Sequence, residues 1–325
     1  MNTFQFKKDM SYNDVFDKIK GWISTPELQE LIFSFGGNFR SNGTLVEQIK
    51  ELLVFSDAWD FRNQQKNDSH NMEKARWTIE NNQLNEKQKH LTLNASKNLG
   101  LIGCSVPSQK KYDYVLVLGG ARMSCLFRMQ YAKEICDQYD DLANSIVGLA
   151  GMREVMESER NATDTYAPNA KTEFDLMKSA LKKVFGSLKI KEKQERFSKN
   201  SNESWSLHGY FYDIPVILLA APSGEPEKRR ANTADTFTFF RERLNVEMGK
   251  NILLITSQIY VPYQQLEAIR MLGLPYGHSL ETIGFPNEWL DSMQELQNPE
   301  NYLQEIRSVI QSASRLLDGI DKKLY

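Results

Sequence analysis

Five short apolar runs, each closed by small or polar residues and separated by segments of helical periodicity, constrain the fold of this chain more than any other feature. The first, 114–118, reads YVLVL and ends at Gly119-Gly120. The others are 145–149, closed by Ala150-Gly151; 214–221, closed by Pro222; 251–255, closed by Thr256-Ser257; and a weaker 280–285. Continuous apolar runs of this length suit strands buried on both faces of a parallel sheet. Helical patterns at 123–137, 172–185, 232–244 and 262–272 lie between them. Regular alternation of this kind predicts an α/β fold, a Rossmann-like parallel sheet of about five strands flanked by helices, over residues 112–286 with right-handed crossovers. The polar stretch 189–204 reads as an insertion or loop. In the C-terminal region, 287–325, Ile306, Val309, Ile310, Ala313 and Leu317 share one stripe of a helix over 299–317 that packs back on the body.

The first 105 residues show no strand and read as a helical segment or lid preceding the sheet. Residues 12–23 place Val15, Phe16, Ile19 and Ile23 at helical spacing, and Thr25-Pro26-Glu27 opens a second helix with a cap and a proline at its first position. Gly36-Gly37 stops it, and 45–55 continues the pattern. From 59 to 98 the chain is polar with sparse apolar positions, as a long exposed helix or a mobile lid would be. Trp59-Asp60-Phe61-Arg62 either reaches over a strand-end pocket or packs the two parts together, the second being more economical.

With 325 residues, 41% of them apolar and 11% aromatic, the chain can bury a substantial core. A net charge of −2 argues against a nucleic-acid partner held by bulk phosphate attraction. Cys104, Cys125 and Cys136 are odd in number and lack CxxC spacing, so a reduced, cytoplasmic protein is expected. The N-terminus has no apolar leader core and no later segment offers a membrane-length apolar run, so no membrane association is expected.

Ligands of open parallel sheets bind beyond the carboxyl ends of the strands, which directs attention to the residues closing each run. Gly119, Gly120 and Arg122 follow the first run, where small residues allow close backbone approach and a helix N-terminus offers N–H groups to an anion. A tight turn that merely packs the helix would look the same, and the spacing is not GxGxxG. Gly151 and Arg153 follow the second run. Glu173 and Asp175 open the next helix, where acids are ordinary dipole partners. After the third run, Asn232 and Asp235 approach a capping box, and Thr233 lies between them. Capping does not explain the adjacent Arg229-Arg230, which would crowd a positive helix end unless an anion binds there; solvated surface arginines are the alternative. Thr256, Ser257 and Tyr260 follow the fourth run and offer two hydroxyls and a phenol to the crevice.

Other chemistries find less support. His70, His90, His208 and His278 are isolated, without HxH or HExxH spacing, so no metal is assigned. P-loop and GxSxG patterns are missing. Cys125, near a helix N-terminus, is better explained as a small core residue than as a nucleophile.

The combination of VLVLGGA ending at Ala121, the Glu173-x-x-x-Met177 helix, Asn232-Thr233-Ala234-Asp235 and LLITS at 253–257 resembles the SanA/YdcF-like domain family over residues 112–284. That resemblance implies a Rossmann-like sheet whose strand-end loops form one pocket, a bacterial family associated with envelope maintenance, and S-adenosylmethionine as a ligand of one member. It matches Gly119 and Gly120 to the glycine loop, Glu173 to the acidic helix start, Asn232-Thr233 to the Asn-Thr pair and Thr256-Ser257 to the Thr-Ser pair. Departures stand beside it. Asp235 and Thr236 replace Glu and Asn, and Tyr260 and Tyr263 stand where His and Arg are usual, which removes the obvious general base. A helical segment stands where many members carry a membrane anchor, so an envelope role transfers poorly.

The function expected from these residues is binding of a small polar or anionic ligand, such as a nucleotide-like molecule, S-adenosylmethionine or a phosphorylated metabolite. An enzyme, a transferase or hydrolase, would use Gly119, Gly120, Arg122, Arg230 and Asn232 to hold the anion and Glu173, Asp235 or Tyr260 as acid or base. A non-catalytic sensor or protein-interaction module is the alternative.

Overall fold

The computed structural model describes residues 4–38, 43–61, 84–291 and 297–325. A helical N-terminal part comprises α1 (Tyr12–Ile23), α2 (Pro26–Ser34), α3 (Leu45–Phe55) and α4 (Glu86–Asn98). Its boundaries follow from local chemistry. Ser11, Thr44 and Asn85 each cap a helix and are answered by Asp14, Glu47 and Gln88 in reciprocal capping boxes, while Pro26 occupies the first turn of α2. The polar stretch near α4 is not an exposed helix: Leu91, Thr92, Ala95 and Ser96 are buried. The remainder of that expectation, 62–83, lies outside the described residues. Trp59 and Phe61 are buried, Trp59 edge-on to Phe35 and Phe55, so this aromatic cluster packs the helical part together.

The rest alternates strand and helix: β1 (Tyr114–Leu118), α5 (Ser124–Gln138), β2 (Ile146–Gly151), a short α6 (Arg160–Thr163), α7 (Glu173–Phe185), β3 (Ile190–Arg196), β4 (Trp205–Phe211) and β5 (Pro215–Ala221). Then come α8 (Thr233–Arg243), β6 (Asn251–Ser257), α9 (Val261–Ala268), α10 (Leu274–Tyr276), β7 (Ser279–Phe285), α11 (Glu288–Asp291) and α12 (Pro299–Asp321). The sheet has seven strands in the order β3-β4-β5-β2-β1-β6-β7. Its five-strand parallel core is the expected α/β arrangement. Of the two further strands, β3 corrects the reading of 189–204 as a loop, and β4 occupies a stretch for which no element was expected. β3 and β4 form an antiparallel hairpin that joins β5 antiparallel. β3 is charged and exposed almost throughout, so it carries no apolar period by which sequence could have announced it.

Side-chain alternation along the strands builds two cores. Val115 and Val117 of β1 with Leu253 and Ile255 of β6 face α5 and α7. Leu116 with Ile252 and Leu254 face the opposite layer, where α8, α9, α12 and the N-terminal helices form one continuous cluster. The N-terminal part is therefore no detached lid but a wall of this second core. Two polar ties bind α12 into it. Arg307 ion-pairs with Asp57 at 2.6 Å, and the buried Glu267 of α9 accepts from Ser312 at 2.6 Å and from Arg315 at 2.7 Å. Among the described residues no helix is long and apolar enough to cross a membrane.

Because one core spans helical part and sheet, Ile306→Ala, at a fully buried position of α12, should lower stability by about 2–5 kcal/mol in a single cooperative transition. Two separable transitions in calorimetry would contradict the shared core. His278 supplies a pH-dependent term. Its Nδ1 accepts from the Lys250 N–H at 3.1 Å, so the neutral ring carries its proton on Nε2, which is buried without a partner. Burial, helped by Arg241, pushes its pKa down from 6.5 to about 4. Between those values the unfolded chain binds the extra proton and the folded chain does not, so this contribution is whole above pH 6.5 and is lost as pH falls toward 4. Stability measured across that window should fall by an amount on the order of 2 kcal/mol more in the wild type than in His278→Gln.

Candidate functional site

β1 lies between β2 and β6, and the chain moves to one side of β1 through β2 and β5 and to the other through β6 and β7. The strand order therefore reverses at β1, and a crevice opens beyond the carboxyl ends at such a point. A cavity of about 640 Å³ occupies that position, lined by the turns after β1, β2, β5 and β6 and by the start of α12.

The turn after β1 is shaped by close approach. A Cβ on Gly119 would stand 2.4 Å from the Glu173 Oε1 and 2.6 Å from the Leu149 carbonyl, and one on Gly120 would stand 2.8 Å from the Ser124 Cβ. Both positions require glycine. Arg122 takes a left-handed φ of 51°, uncommon for a residue with a side chain, while its carbonyl accepts from the Tyr166 hydroxyl at 2.9 Å. Behind this turn lies Arg128 of α5, which the sequence did not single out. Only 3% exposed, it donates to the Leu118 and Gly119 carbonyls through Nη1, and to the Ser257 Oγ through Nε at 3.3 Å and Nη2 at 3.1 Å. It thus ties the end of β1 to the end of β6.

The turn after β2 carries a buried charge cluster. Arg153 donates through Nε to Glu173 at 2.7 Å and through Nη1 to Glu159 at 3.0 Å, and its Nη2 is buried without a partner. Burial opposes charge on Arg153, but the two carboxylates outweigh it and hold the guanidinium more firmly protonated than usual. Glu173 also accepts from the Gly151 N–H at 3.3 Å, so each of its oxygens has a donor.

Around α8 the predicted capping box is present: the Asn232 side chain accepts from the Asp235 N–H, and Asp235 accepts from the Asn232 N–H at 2.8 Å. Asp235 also takes both Nη groups of Arg229 and the Gly224 N–H. Burial would raise its pKa, yet Arg229 and the two backbone donors hold it below the ordinary carboxylate range. Its carboxylate is thus engaged in holding the turn, and Asp235 does not line the cavity. Neither does Thr256. By the period of two along β6 it falls on the face of Leu254, fully buried, whereas Ser257 reaches the cavity. The other sequence candidates, Gly119, Gly120, Arg122, Gly151, Arg153, Glu173, Arg230, Asn232, Thr233, Ser257 and Tyr260, come together on its wall.

The structure adds residues that sequence reasoning missed. Asn202, from the β3–β4 connection, is held by donation to the Pro226 carbonyl at 2.9 Å. Gln264 reaches Thr233 Oγ1 at 3.5 Å while its own Oε1 is buried without a partner. Asn298 caps α12 by accepting from Asn301. These amides also face the cavity. Asn202 and Asn298 could not be found from strand-end positions, because their segments follow no predicted parallel strand directly, and Gln264 lies a turn inside the helix after β6, beyond the strand-closing residues. His208 sits on the outer hairpin against Glu195, and His278 beneath β7, both away from the cavity. Cys125 is fully buried, donates to the Gly120 carbonyl and has its thiol pKa pushed up to about 12 by burial, so it is a core residue.

Comparison with known proteins corrects the resemblance drawn from the short motifs. Residues 6–100 match the family described as Rv3785 N-terminal domain. Over 334 aligned residues the chain is 34% identical to the uncharacterized protein Rv3785 of Mycobacterium tuberculosis and to the uncharacterized protein Mb3814 of Mycobacterium bovis, covering 96% of this chain and 92% of each relative. No solved structure matches. The match runs through the helical part as well as the sheet, and nothing in it points to SanA/YdcF-like proteins. The short strand-end motifs are what any sheet of this architecture places there. S-adenosylmethionine and the envelope association rested on that resemblance and fall with it. The chain belongs to the family of the mycobacterial protein Rv3785.

Proposed function

We propose that the strand-end cavity binds a small phosphorylated metabolite that also carries hydroxyl groups. The observation that supports this most is charge. Among the described residues lining the cavity are five arginines, Arg122, Arg128, Arg153, Arg229 and Arg230, and one carboxylate, Glu173, while Glu159, Asp235 and Glu225 pair with Arg153 and Arg229 from outside the lining, in a chain whose net charge is −2. Such concentration of guanidinium groups at one crevice suits a phosphate, which accepts paired N–H donors. The start of α5 adds to it: its first turn has no acid and Met123 makes no side-chain cap, so the dipole end is left to an anion. The amides of Asn202, Asn232, Gln264, Asn298 and Asn301, with Tyr260 and Tyr263, offer both donors and acceptors to hydroxyls. A volume of about 640 Å³ admits a molecule of this size.

The reading assigns ligand capture and no proton transfer. No histidine lines the cavity among the described residues, and both oxygens of Glu173 are engaged. A transferase or hydrolase at this site would work by stabilising developing negative charge with its arginines.

Thermal-shift titration with inorganic phosphate, pyrophosphate, hexose phosphates and the matching neutral sugars tests the reading. Phosphorylated ligands should raise the melting temperature by mass action and neutral sugars should not, with the effect shrinking at high salt. Arg230→Ala and Arg122→Asn should each weaken binding by about tenfold or more, the worth of a charged hydrogen bond; asparagine tolerates the left-handed backbone at 122. Equal shifts with phosphorylated and neutral ligands, or unchanged affinity in both variants, would refute it. If turnover of a bound ligand is found, its persistence in Glu173→Gln would exclude that carboxylate as acid or base.

A further inference from the structure

The two edges of the sheet are treated differently. At the β7 edge, Phe6 and Leu280 exchange both backbone hydrogen bonds, at 3.1 and 2.7 Å, so the N-terminal segment closes part of that edge. At the opposite edge β3 pairs with β4 alone, and six of its seven residues are exposed. Among the described residues nothing is hydrogen-bonded to its outer side. Charged residues on an edge strand commonly serve to repel other strands. On β3, however, the charges are ordered. Glu192, Lys193, Gln194, Glu195 and Arg196 read negative, positive, neutral, negative, positive, and the reversed sequence is the charge complement of the forward one.

We propose that β3 is the contact between two copies of this chain, joined antiparallel about a two-fold axis at Gln194. In that register Glu192 lies opposite the second copy's Arg196, and the Lys193–Glu195 pair that each copy already makes at 2.8 Å meets the same pair of the second copy with its charges reversed, while Gln194 meets its own counterpart. Directly opposed residues share a face, so Glu192 and Arg196 pair on one side of the joined sheet and Lys193 and Glu195 on the other. Sliding one copy by one or two residues in either direction brings Glu192 to Glu195, Lys193 to Lys193, Lys193 to Arg196 or Glu195 to Glu195. The arrangement therefore selects a single register against its neighbours, as a repulsive edge would not need to do. The product is one continuous sheet of fourteen strands, twice the seven of one copy, with an isologous contact.

The contact is small, so the dimer should be concentration-dependent and weakened by salt. Sedimentation equilibrium of the full chain over a dilution series tests it. The wild type should pass from dimer to monomer. Glu192→Arg, at an exposed position, should weaken dimerisation by about tenfold, because two symmetry-related attractions become repulsions. Glu192→Arg with Arg196→Glu restores opposition of unlike charges and should recover wild-type association, while Gln194→Lys sets two ammonium groups on the axis and should give monomer. Circular dichroism and melting temperature of each variant should match the wild type, since these side chains are solvent-facing. A wild type that stays monomeric at every concentration, a dimer indifferent to Glu192→Arg, or a double variant that remains monomeric would overturn the proposal.

Discussion

The crevice beyond β1 depends on the buried guanidinium of Arg128. Backbone carbonyls need donors where the strand ladder stops. Arg128 supplies the donors, taking the Leu118 and Gly119 carbonyls on one side and the Ser257 hydroxyl on the other. One side chain from α5 thereby fixes the spacing of the two turns between which the cavity lies. The glycines follow from the same constraint. Gly119 must clear Glu173, and Gly120 must clear Ser124 and Arg128, so the turn is already determined by protein contacts before any ligand is considered.

Charge at the site is organised in layers. Arg153 and Arg229 are each held by carboxylates, Glu159 with Glu173 and Asp235 with Glu225. Those pairs orient the turns after β2 and β5 and leave fewer acids facing the cavity than arginines. Asp235 illustrates the division of labour. It was a candidate acid or base, but its Arg229 and backbone partners keep it ionised and placed behind the wall. Arg122 contributes from a backbone conformation that side chains disfavour, and such a position persists where its surroundings impose it, here through the Tyr166 hydroxyl.

Strands buried on both faces were legible because nothing but apolar side chains suits them: β1 has its expected bounds, and β2, β5, β6 and β7 appear within two residues of theirs. The capping box at Asn232 was legible because its chemistry is local. The edge strand β3 was not, since a strand exposed on both faces has no hydrophobic period and its residues look like a charged loop, whereas β4 is buried through its middle but mixes Ser206, His208 and Gly209 into its run. Thr256 shows the limit of the strand-end rule. The rule finds the right segment, but alternation decides which of two neighbouring side chains enters the crevice, and Ser257 does. Arg128 and the amides of α12 lie outside any strand-end position, so only the assembled fold brings them to the site.

The central claim is that one crevice, made by segments distant in sequence, captures a phosphorylated ligand. Hydrogen–deuterium exchange with and without a saturating hexose phosphate tests this most directly, because ligand capture slows exchange of the backbone that closes around it. The account predicts protection confined to the turns at 119–124, 151–153, 201–202, 229–233 and 257–264 and to the starts of α7 and α12. Protection that spares these turns, or none with any phosphorylated ligand, would contradict it.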